Sequence, residues 1–65
     1  MSATDPLRTP EETARQLTKS VRVLQQWRWL GEGPAYVKVG RAVRYYQSDI
    51  DAWLRANRVE PRGAP

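Results

Sequence analysis

The chain has 65 residues and contains no cysteine and no histidine. Without cysteine there are no disulfides, and without either residue the usual zinc sites have no ligands. The same two absences remove the side chains most used for nucleophilic and acid–base work near neutral pH, and no phosphate-cradling glycine motif stands in for them. Apolar runs are short as well: none approaches the roughly 20 residues that a membrane-spanning helix needs. The opening "MSATDPL" has no basic start followed by an apolar stretch. These features together predict a soluble protein of a reducing cytoplasm, not an enzyme, with no cofactor, no metal, no membrane contact and no small-molecule ligand. A chain of this length holds one domain, and its core is marginal unless well-packed aromatics or a partner support it.

What is present is a cationic middle. Residues 1–18 carry Asp5, Glu11 and Glu12 against Arg8 and Arg15, and residues 45–65 balance three acids with three arginines. Between them, Lys19, Arg22, Arg28, Lys38, Arg41 and Arg44 face Glu32 alone, so the middle carries +5 while the whole chain carries +4. A basic segment of this size in a small protein points to a polyanion.

Punctuation divides the chain into three elements. In "TPEE", Thr9 is placed to cap a helix, Pro10 to occupy its first turn, and Glu12 to reach back to the cap. That helix is expected to run to about Leu17 and to bury Ala14 and Leu17, with Thr13 beside them. After "TKS", Ser20 is placed to cap a second helix over about 21–30. Two short helices joined by so short a turn suggest a helix-turn-helix. Advancing about 100° per residue puts Val23, Leu24, Trp27 and Leu30 on an inner face, and Val21, Arg22, Gln25, Gln26 and Trp29 on the outer one, with Arg28 at the border. Arginine and glutamine on an outward helix face are the side chains that read guanine and adenine edges in a major groove.

"GEGP" ends the second helix, and "AYVKVGRAVRYY" then alternates around Gly40–Arg41, the pattern of a hairpin with a type II′ turn. Alternation suggests Val37 and Val39 facing inward with Val43 and Tyr45, leaving Lys38, Arg44 and Tyr46 outward and Arg41 at the tip. "SDID" reads as another capping box, with Ser48 as cap and Asp51 three residues on, opening a helix that buries Ile50, Trp53 and Leu54. Asp49 and Asp51 read as helix-start residues, not as a metal pair. The expected fold is α+β, mainly α: a small winged helix-turn-helix over residues 7–57, with a flexible N-terminus at 1–6 and a flexible tail at 58–65.

Residues 9–54 resemble the small winged-helix family of phage excisionases, or recombination directionality factors, and AlpA-like regulators, related in fold to MerR-type DNA-binding domains. The resemblance rests on the order and spacing of "TPEE", Ser20 opening the second helix, "LQQWR", "GPAYVKVG", "RAVRY" and "SDIDAWL". It implies a DNA-binding protein without catalytic activity, at the nucleoid of a bacterial host. Such a protein binds and bends attachment-site DNA in several copies and steers a phage integrase, a tyrosine recombinase, towards excision, or it regulates transcription. It further implies groove and phosphate contacts from Ser20, Arg22, Gln25 and Arg28, joined by Val21 and Gln26 on the same face, and wing contacts from Lys38, Arg41 and Arg44. The family usually has a glycine and an apolar residue where Thr18 and Lys19 stand, so Lys19 adds a phosphate contact in the turn. It also usually ends the recognition helix in charged residues where Trp29 and Leu30 stand. For Trp29, packing against "GEGPAY" or the wing is the first expectation; a contact with DNA sugars, or a protein interface with a neighbouring copy, is the alternative.

Overall fold

The computed structural model describes residues 4–61. Residues 1–3 and 62–65, parts of the two ends expected to be flexible, lie outside the described residues. The elements are β1 (Leu7–Arg8), α1 (Pro10–Leu17), α2 (Val21–Leu30), β2 (Val37–Val39), β3 (Ala42–Tyr46) and α3 (Gln47–Ala56). The strands form one antiparallel sheet in the order β1-β3-β2. This is a small α+β fold, mainly helical: a winged helix-turn-helix.

Local chemistry sets the first two helices. The Thr9 hydroxyl accepts from the Glu12 N–H at 3.1 Å while the Glu12 carboxylate accepts from the Thr9 N–H at 2.9 Å, a complete capping box. The backbone N–H of Thr9, helped by Arg8 and Arg15, holds the Glu12 carboxyl below its ordinary range. The box is therefore intact at neutral pH and is lost only as pH falls through that lowered value. Ser20 Oγ accepts from the Val23 N–H at 3.1 Å and starts α2. The intervening turn is tight despite lacking glycine, because Thr18 itself takes the left-handed conformation, with φ 55. Its N–H bonds the Ala14 and Arg15 carbonyls, and the Lys19 N–H bonds the Ala14 carbonyl at 2.9 Å. A β-branched residue is strained there, so these bonds offset a local cost.

Ala14, Leu17, Leu24, Tyr45 and Ile50 form the buried core, and Trp27, Val43 and Trp53 pack against it. The two indoles lie 5.2 Å apart between ring centroids. Leu30 is not part of this core, contrary to its place on the inner face: it is 58% exposed. The last turn of α2, Trp29 to Gly31, is exposed throughout, so it runs past the elements that bury the earlier turns. Leu54 is likewise half exposed on α3.

The hairpin corrects a second expectation. Val37 pairs with Arg44, Lys38 with Val43 and Val39 with Ala42. Directly opposed residues share a face, so Lys38 lies with Val43 and Tyr45 on the side towards the helices, whereas Val37 and Val39 lie on the other side with Arg44. The cause is the two-residue loop. Gly40 takes φ 64 and Arg41 stays at negative φ, the sign pattern of type II′, and closing the loop at Val39–Ala42 obliges odd residues of β2 to face even residues of β3.

A third correction concerns the start of α3. The helix begins at Gln47, and no side chain of its own caps it. Ser48 already lies in the first turn, and its N–H and hydroxyl both donate to the Asp5 carboxylate, at 2.9 and 2.6 Å. The Gln47 N–H donates to the Pro6 carbonyl at 2.9 Å. Asp5 and Pro6, placed by sequence ahead of the domain, thus supply the missing cap from far along the chain, and Leu7 and Arg8 continue as β1 against Tyr46 and Tyr45. Gln47 ties the layers together: its Oε1 accepts from Arg8 Nε at 2.7 Å and from Gln16 Nε2 at 2.8 Å, and its Nε2 donates to Asp51 at 3.0 Å.

Two substitutions test this packing. Thr13 is fully buried and its hydroxyl has no hydrogen-bond partner. Thr13→Val keeps the shape and removes the orphaned group, so thermal denaturation should show a gain of about 1 kcal/mol. Gly33 has φ +85, and a Cβ there would meet Trp27 Cε3 at 2.8 Å. Gly33→Ala combines backbone strain with a clash against a core indole and should cost about 2 kcal/mol or more in the same assay.

Candidate nucleic-acid interface

The outer face of α2 and the inner face of the hairpin meet at a cleft of about 670 Å³. Arg22, Gln25 and Gln26 line it from the helix, Lys38 from β2, and Arg28, Trp29, Tyr36 and Val43 complete its walls. Among the described residues, no carboxylate lines it. Its rim is cationic on two sides, and the residues between carry amide donors and acceptors, the chemistry that fits a duplex edge.

The fold brings some of the expected contact residues together and separates others. Arg22, Gln25, Gln26 and Lys38 are exposed and share the cleft. Lys38 reaches it only because of the register described above. Val21 is 38% exposed at the first turn of α2, just after Ser20 and Lys19, so these three sit at the helix N-terminus and not within the cleft. Ser20 Oγ accepts the capping bond, which leaves its O–H as a donor towards a phosphate. Arg41 is exposed at the hairpin tip. Arg44 is half-buried on the far face of β3 from Lys38, with Nη1 donating to the Val43 carbonyl at 2.7 Å.

Arg28 takes a different part from that of a freely exposed cation. Its Nη1 donates to the hydroxyl of Tyr45 at 2.8 Å, and its guanidinium carbon lies 5.7 Å from the centroid of the Tyr36 ring. Tyr45 is 1% exposed, so its phenol is a buried polar group that this bond satisfies. Tyr36 stacks at a tilt on Tyr45, with centroids 6.1 Å apart. Arg28 therefore fixes the angle between α2 and the hairpin from inside the cleft wall. Tyr36 escaped the sequence reading, although a signal existed: the two-residue loop places it on the same hairpin face as Lys38, Val43 and Tyr45. Trp29 does not pack on the linker or the wing and is 86% exposed.

The profile of the Helix-turn-helix domain family matches residues 9–58. The chain belongs to that family. Its match begins at the Thr9 cap and ends just past α3, so it spans both helices, the wing and the closing helix. A comparison with curated proteins finds no match. In a helix-turn-helix domain the second helix enters the major groove of double-stranded DNA and reads it in a sequence-specific way; the second helix of this chain is α2. The family is typically non-enzymatic. Among the described residues, no helix is long and apolar enough to cross a membrane, and no group of three or more acidic, histidine or cysteine residues could hold a metal.

The Arg28–Tyr45 bond gives a direct test of how this helix-turn-helix domain holds its wing. Tyr45→Phe removes one hydrogen bond to a charged group without changing shape, so it should cost about 1.5–2 kcal/mol in denaturant unfolding. In an Arg28→Ala background the same change should cost much less, because the phenol has already lost its donor.

Proposed function

We propose that this helix-turn-helix domain is an excisionase, a recombination directionality factor that binds and bends attachment-site DNA and steers a tyrosine-recombinase integrase towards prophage excision. The observation that carries the DNA-binding part is the shared cleft, in which Arg22, Gln25 and Gln26 of α2 stand beside Lys38 of the wing. Arg22, Gln25 and Gln26 take the base edges. Lys38 and the tip residue Arg41 take phosphates, as do Lys19 and Ser20 at the start of α2. Arg44 joins them on the flank of the wing, and Arg28 sets the pose of the helix. The excision role is supported by the ordered motifs of residues 9–54, which resemble that family from cap to closing helix.

Size bears on mechanism. A module of this kind covers about 600–1,000 Å² of its own surface on DNA, and a few base contacts worth about 1–3 kcal/mol each give limited discrimination. Binding therefore needs several copies on adjacent repeats, helped by contacts along the DNA or by integrase held nearby, and a bend that brings distant sites together. The fold also suits a transcriptional regulator, and experiment separates the two roles.

Footprinting of attachment-site DNA, combined with an excision assay with and without the protein, tests the proposal. Protected repeats and stimulated excision are expected; protected repeats with no effect on recombination would assign the domain to transcriptional regulation. Neutralising about four or five phosphates should give a log–log salt slope near −4. Within that assay, Arg22→Ala should relax sequence preference, whereas Arg41→Ala should weaken binding on specific and random duplexes alike. Equal losses on both kinds of DNA for both variants would show that α2 is not the reading helix.

A further inference from the structure

The exposed indole of Trp29 is unexplained by the fold. Among the described residues it is the most exposed large hydrophobic side chain of any helix, at 86%, so packing within the fold does not account for its place. Its angular position is informative. Seven residues separate it from Arg22, and seven steps of an α-helix return to within about 20° of the starting direction. Arg22, Gln25, Gln26 and Trp29 therefore form one stripe at i, i+3, i+4 and i+7, and all four line the same cleft. A helix pose that presents the first three to base edges presents the fourth as well.

Two occupants could cover the indole, and charge separates them. The cleft around Trp29 is rimmed by Arg22 and Lys38 and, among the described residues, contains no carboxylate. A second copy offering the same face would bring like charges together, whereas a duplex brings phosphates to those cations and base edges to the stripe between them. The apolar feature on a major-groove base edge is the C5-methyl group of thymine.

We infer that Trp29 is a specificity-determining residue that packs its indole on a thymine methyl at one end of the recognised site. The inference rests on α2 being the reading helix and does not depend on the excision role. Trp29 lies about 10 Å along the helix from Arg22, so the thymine falls about three base pairs from the position that Arg22 reads.

Selection of bound duplexes from a random pool, followed by affinity measurements on the selected site, tests this. Wild-type protein should select a thymine at that spacing. Trp29→Ala should lose the preference there while keeping the base chosen by Arg22, and Trp29→Phe, which retains an apolar ring, should keep the thymine. Replacing that thymine by deoxyuridine deletes only the methyl group and should weaken wild-type binding about fourfold, the value of burying one such group. The same replacement should leave Trp29→Ala binding unchanged. A thymine selected equally by Trp29→Ala, or a methyl deletion without effect on the wild type, overturns the inference. So does a Trp29→Ala protein that selects the same site but no longer binds adjacent sites cooperatively, since that assigns the indole to a neighbouring copy. If wild-type protein enriches no duplex at all, it is the DNA-binding reading that fails, a result distinct from each of these.

Discussion

The geometry of the interface depends on one hydrogen bond, from the Arg28 guanidinium to the phenol of Tyr45. Tyr45 fills the centre of the core, where an unpaired hydroxyl would be costly, and its polar end must find a donor. The donor comes from α2, while the ring belongs to the wing. Satisfying one buried oxygen thereby sets the angle between the two elements that frame the cleft. Tyr36 closes the arrangement by stacking beside Tyr45 and lying close to the guanidinium. Arg28 is thus engaged with the core, whereas Arg22 on the same helix stays exposed.

A domain this small has few apolar groups to bury, and its remaining support is polar and long-range. The sheet gains its third strand from Leu7 and Arg8, and α3 gains its cap from Asp5 and Pro6. Gln47 then holds β1, α1 and α3 through its single amide. None of these residues lines the cleft between α2 and the wing.

The last turn of α2 shows how burial and function divide along a single helix. Its earlier turns join the core through Leu24 and Trp27. After Trp27 only Arg28 turns back to the core, through Tyr45, while Trp29 and Leu30 stay exposed. An exposed apolar side chain contributes to stability only when something covers it.

Much of this was legible in the sequence. The Thr9 capping box, the Ser20 cap, the inner stripe of α2 through Trp27 and the type II′ loop are local, because each depends on residues within a few positions of one another and their chemistry leaves few alternatives. Even the hairpin parity was implicit, since a two-residue loop fixes which residues oppose one another; the alternation of valines pointed the other way only because Lys38 was assumed to avoid an inner face. Other features had no local signal. Two residues are too few for β1 to show a period, the cap of α3 comes from Asp5 rather than from its own Ser48, and the exposure of Leu30 depends on where neighbouring elements stop. The partner of Arg28 was likewise decided by tertiary structure, because a helix count gives the direction of a side chain but not what waits there. Sequence determined which elements form and which faces they offer; only folding decided which distant groups complete them, because a hydrogen bond across the chain leaves no period in it.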